Sequence, residues 1–138
     1  MYTRIVALGA LLTALGIILG AFGAHALKGS ITEYGTEVFK TASLYHLVHG
    51  VGIIALAALG SAGAVPHRIV QRAVFFFVLG ILVFCGSLYL LAITEIRWLG
   101  AITPLGGVSF IVGWLLLGFG TLCSHNAPTR IDNPPSEG

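Results

Sequence analysis

Four long apolar runs, at about 4–27, 38–60, 72–93 and 99–122, leave this chain few ways to fold. Each is close to or beyond the ~20 residues that a helix needs to cross a hydrocarbon core about 30 Å thick. A spanning segment must satisfy its own backbone hydrogen bonds, and a helix does so within itself. The remaining composition agrees: 57% of the 138 residues are hydrophobic and only 9% charged, with a mean hydropathy of +0.97. A soluble domain carries roughly 25% charged residues, so this chain lacks the polar surface to cover a water-exposed globule. The sequence therefore predicts an all-α integral membrane protein, four transmembrane helices in an up-down bundle over 1–122, with a polar tail at 123–138 expected to be disordered. The lipid bilayer is its first expected partner. A formal net charge of +2 without a basic stripe speaks against nucleic acid.

The first run could imitate a secretory signal, since Arg4 precedes it and Ala24-His25-Ala26 resembles a cleavage site. It is longer than the 7–15 residues of a signal core, and a span is expected. At 100° per residue, Gly9, Thr13, Gly16, Gly20 and Gly23 fall on one face, with Ala10, Ala14, Ala21 and His25 beside them. Leu8, Leu11, Leu12, Leu15, Leu19 and Phe22 occupy the other. Small residues let membrane helices approach closely, so the glycine face is expected to pack on protein and the bulky face to meet lipid.

Gly29 can end that helix, and Ser30 with Glu33 reads as a capping box for the next. A second helix from about Ile31 to Leu59 would be roughly 43 Å long, more than the apolar core. Glu33, Glu37 and Lys40 then stand at headgroup level, with Glu37 and Lys40 spaced for an i,i+3 pair. Deeper in the same helix lies Tyr45-His46-Leu47-Val48-His49-Gly50. Ionisable side chains at that depth face a protein interior or a water-filled cavity. Tyr45, His49 and Gly52 share a stripe, with His46 just off it, and His25 is the nearest third imidazole. Two readings follow for His25, Tyr45, His46 and His49. The plainer is a set of interhelical hydrogen bonds. The other is metal or haem ligation, for which zinc wants three or four protein ligands and a haem two axial histidines. No cofactor is expected on the plainer reading.

In the third run, Phe75-Phe76-Phe77 suits lipid, while Gly80, Ser87 and Thr94 recur every seven residues as a seam, with Gly86 counted among the packing positions. Cys85 reads as a small apolar filler. The two cysteines form no C-x-x-C, so no disulfide framework is expected. In the last run Trp98 marks the interface, and Gly106, Gly107, Gly113 and Gly120 supply close-approach positions. Arg4, Arg68, Arg72 and Arg130 lie on the side of the termini, and Lys28, Lys40 and Arg97 on the other. Four against three leans toward cytoplasmic termini.

Four ordered segments resemble one known family: Leu19-Gly20-Ala21-Phe22-Gly23-Ala24-His25, Tyr45-His46-x-x-His49, Phe84-Cys85-Gly86-Ser87-Leu88-Tyr89, and Thr103-Pro104-Leu105-Gly106-Gly107-Val108-Ser109-Phe110 with Gly113-Trp114. Together they are similar to the YgdD/YwdK-like bacterial inner-membrane family, number 423 of the domains of unknown function, which has small eukaryotic transmembrane relatives. The resemblance implies a four-helix inner-membrane protein and supplies no established reaction. That family often has Gln at the position of His46 and Ser at that of Cys85, which makes His25 and His49 the family-like polar positions. No Ser-His-Asp arrangement, zincin motif or phosphate-binding glycine loop is present, so an enzyme is not expected. The leading expectation is a binding or assembly component, self-associating or joined to another membrane protein. A small-molecule or ion conduit lined by the histidines is the alternative, and a metal- or haem-binding protein the third.

Overall fold

The computed structural model describes residues 1–125, helices joined by short turns and loops. Helix α1 is Tyr2–His25 and α2 is Glu33–Ser61. The third span, His67–Thr94, comprises α3 (His67–Gly80), a π-helical turn (Ile81–Cys85) and α4 (Gly86–Thr94). The fourth is α5, Leu99–His125. Four helices are thus long and apolar enough to cross a membrane. Of the polar tail expected at 123–138, residues 126–138 lie outside the described part.

Both middle spans start earlier than their apolar runs, at Glu33 and His67, because their first polar turns are helical too. The start of α2 differs from the expected capping box. Thr32, with extended backbone (ψ 162°), is the N-cap, and its Oγ1 accepts the Gly35 N–H at 3.1 Å. Ser30 is instead held in the preceding turn, its N–H donating to the Leu27 carbonyl at 3.0 Å, next to Gly29 at φ +79°. A cap oxygen accepts from an amide two or three residues on, and here the helix begins where Thr32 Oγ1 reaches Gly35. Thr32→Ala is expected to lower stability by about 1 kcal/mol, with Thr32→Ser retaining most of it. Equal unfolding midpoints for wild type and Thr32→Ala in mixed micelles would contradict this.

The helices pack in sequence order. Helix α1 lies along α2 and makes no comparable contact with α5. Helix α2 also packs on α3, the π-turn and α4, and α5 packs on those same three elements from the other side. The third span is therefore the centre of the molecule and α1 an outrigger, with only 11% of its most apolar stretch buried. The fully buried Phe77, Ile53, Leu56, Val70 and Cys85 belong to α2 and the third span.

Glycines set the spacing. Along the antiparallel α1–α2 seam, Gly9 meets Ile54 and the Gly50 carbonyl, Gly16 meets Leu47 and His46, Gly20 faces Ser43, and Gly23 faces the ring of Phe39. On the opposite side α5 brings Gly106 against the backbone of Phe84, Gly113 against the ring of Phe77 and Gly120 against Ile69. The π-turn falls at this close approach: the Gly86 N–H reaches back five residues to the Ile81 carbonyl. Ser87 Oγ and Thr103 Oγ1 lie 2.9 Å apart across the same seam. Two expected positions do not pack. A Cβ on Gly86 would meet nothing within 4 Å, and Thr94 is exposed. Successive helical residues point about 100° apart, so the turn that aims Ser87 at α5 aims Gly86 away.

Candidate functional site: a buried imidazole between three spans

His46 and His49 project from the protein-facing side of α2 and are 2% and 3% exposed. The spacing places them one turn apart but in different company. His49 Nδ1 lies 2.8 Å from the Tyr45 carbonyl of its own helix. A carbonyl can only accept, so Nδ1 carries the proton and Nε2 keeps its lone pair. That lone pair accepts the indole N–H of Trp114 on α5 at 3.2 Å. The ring is stacked on Phe110 with centroids 3.5 Å apart and 15° between planes, and Phe77 meets it edge-on at 5.1 Å. One imidazole thus joins α2, α3 and α5.

His46 faces the other way. Its Nδ1 lies 3.4 Å from the Tyr89 hydroxyl of α4, and Tyr89 in turn lies 3.4 Å from Ser43 Oγ. Its ring packs on Gly16 of α1, and Nε2 has no hydrogen-bond partner among the described residues. A buried histidine nitrogen thus sits without a partner at the α1–α2 seam.

The expected cluster of four is not one cluster. His25 is exposed at the last residue of α1. It stands nine residues beyond Gly16, the residue opposite His46, or about 13.5 Å along the helix axis. Tyr45 is half-exposed and lends its carbonyl to His49 while its ring packs on Phe84 at 4.7 Å. Among the described residues no three His, Cys, Asp or Glu side chains come together to hold a metal ion. His49 has both ring nitrogens engaged within the protein.

The groups that complete the site were not among the candidate residues. Trp114, Phe110, Phe77, Tyr89 and Ser43 all come from other turns or other helices. One signal was available. A tryptophan in the middle of a span, away from the interface where Trp98 stands, carries a donor that needs an acceptor.

Beside this site, α2 and α5 meet through long side chains and leave a lateral groove of about 480 Å³. Tyr45, Val48, Phe84, Gly107, Phe110 and Trp114 wall it, and His49 lies on its floor. It is open on the side of the exposed Leu44, Val48 and Ile111.

Comparison with known proteins adds the family. A protein of 44% identity over 114 residues, covering 83% of this chain and 92% of its own, is the UPF0382 membrane protein SSP2132 of Staphylococcus saprophyticus. UPF0382 membrane protein YwdK of Bacillus subtilis is 42% identical over 110 residues, 80% of this chain and 89% of its own. UPF0382 membrane protein SH2409 of Staphylococcus haemolyticus is 44% identical over 110 residues, 80% and 88% of the two chains. No solved structure matches. The pattern of the family described as "Protein of unknown function (DUF423)" matches residues 19–107, a segment running from the glycine face of α1 to the Gly106-Gly107 pair of α5, and this four-span membrane protein belongs to that family.

Proposed function

We propose that the protein is a non-catalytic membrane component that binds a lipid-soluble molecule in the groove between α2 and α5. The observation that carries this reading is the groove itself: about 480 Å³, walled by aromatic rings and open on an apolar side. Pockets for small ligands run from about 300 to 1,000 Å³ and are mostly apolar, with few polar groups. The one deep polar group here, His49, already has its hydrogen bonds made, which favours an apolar occupant over a charged one. The bacterial inner membrane is the proposed location. The termini are placed in the cytoplasm because four basic residues against three favour that side.

Gly107 gives a clean test. A Cβ there would stand 3.7 Å from the Phe84 ring, an ordinary contact, and Gly107 lines the groove, so a side chain at this position occupies it. Native mass spectrometry of the protein in mild detergent is expected to show a one-to-one apolar adduct that Gly107→Leu reduces at least about tenfold. No adduct on the wild type, or one undiminished by Gly107→Leu at unchanged melting, would remove the proposal. A dimer filling the groove in place of an adduct would do so as well.

A further inference from the structure

We infer that a second cleft, between the last turns of α1 and the first turns of α2, holds the headgroup of an anionic membrane lipid. It is separate from the α2–α5 groove and has a different chemistry. The chain contains two lysines, Lys28 and Lys40, and both line this one cleft of about 430 Å³. Lys28 comes from the turn that follows α1, and Lys40 from the second turn of α2. Below them the walls are Gly20 and Gly23 of α1 with Phe39 and Ser43 of α2. The cleft exists because α1 presents only glycines and Ala24 here: a Cβ on Gly20 would still be 3.8 Å from Ser43.

Ser43 is 9% exposed and lies on the cleft's inner side. Its oxygen accepts from Tyr89, and its own proton has no acceptor among the described residues. Two ammonium groups at the rim and a buried hydroxyl with a proton to give suit a phosphodiester. The acidic groups nearby set the competition. Glu37 holds Lys40 at 2.7 Å, with both side chains about two-thirds exposed, and Glu33 is exposed on the same end of α2. An exposed i,i+3 pair is weak and exchanges readily, so a phosphate can take the place of Glu37. The outer surface of α1 beside the cleft carries Ile17, Ile18 and Phe22, exposed by about half or more. Acyl chains are the matching partner for that surface, which favours a lipid over a free anion.

The experiment is a lipid titration of the full chain in detergent, read by native mass spectrometry. Phosphatidylglycerol is expected to bind one-to-one and at least about tenfold more tightly than phosphatidylcholine of the same chains. Lys28→Gln and Lys40→Gln should each weaken it about fivefold, as a cation near an anionic headgroup contributes on that scale. Glu37→Gln should strengthen it, by releasing Lys40. Gly20→Leu, which occupies the cleft, should weaken binding at least about fivefold. Arg4→Gln, at the opposite end of α1, should have no effect. Glycerol phosphate at millimolar concentration should not displace the lipid. Equal affinity for the two lipids, wild-type binding by both lysine variants, an equal loss in Arg4→Gln, or displacement by glycerol phosphate would each overturn the inference.

Discussion

Gly106→Ala is expected to destabilise the protein by about 3 kcal/mol, the upper end of the usual range for overpacking, and Gly106→Leu to leave little folded material. A Cβ at this position would fall 2.7 Å from the Phe84 Cα and Cβ and closer still to its amide nitrogen. Flexible side-chain ends can move aside from such a contact. Backbone cannot, least of all in a π-turn whose hydrogen bonds are already rearranged. The loss should appear as a lower midpoint of unfolding in mixed micelles, followed by tryptophan fluorescence. Gly107→Ala is the built-in control, because its Cβ meets Phe84 at ordinary contact distance; a change within about 0.5 kcal/mol is expected there. Should Gly106→Ala unfold at the wild-type midpoint, α5 does not approach the third span as closely as described.

The second large effect belongs to His49. Its removal deletes a ring stacked 3.5 Å from Phe110 and edge-packed on Phe77, together with the acceptor for Trp114. Truncating a buried aromatic ring to alanine costs about 3–5 kcal/mol, whereas a hydrogen bond between membrane helices averages about 0.6 kcal/mol. Packing should therefore dominate, and His49→Ala is expected to cost about 3 kcal/mol. His49→Phe keeps a ring in place and leaves only the indole N–H without an acceptor, so about 1 kcal/mol is expected. Trp114→Phe should cost less than His49→Ala. Unfolding measured in a Trp98→Phe background isolates the Trp114 signal for both histidine variants. If His49→Phe proved as damaging as His49→Ala, the polar contact and not the ring would be holding α2 to α5.

The sequence reading failed at His25 and at Gly86 for related reasons. His25 does lie beside the glycines on a helical wheel. The wheel has no depth, however, and His25 stands nine residues along α1 from Gly16, the residue that faces His46. Gly86 adjoins Ser87, and composition does not say which of two adjacent residues faces a seam. The replacement of the expected Ser30–Glu33 box by a Thr32 cap is a difference of two residues, settled by a turn whose Gly29 takes a positive φ.

What the sequence determined by itself is the number of spans and which side of α1 is small. Both are one-dimensional properties: length and hydropathy decide what crosses a bilayer, and a 3.6-residue period decides what shares a face. What only the tertiary structure decided is the company each buried polar group keeps. His49 meets Trp114 sixty-five residues later, and His46 meets Tyr89 forty-three residues later. Those pairings follow from the order in which the helices pack, with the third span at the centre and α1 outside. They depend equally on the glycines that let α5 come close enough for an indole to reach an imidazole. No periodicity within one helix carries the position of a side chain on another.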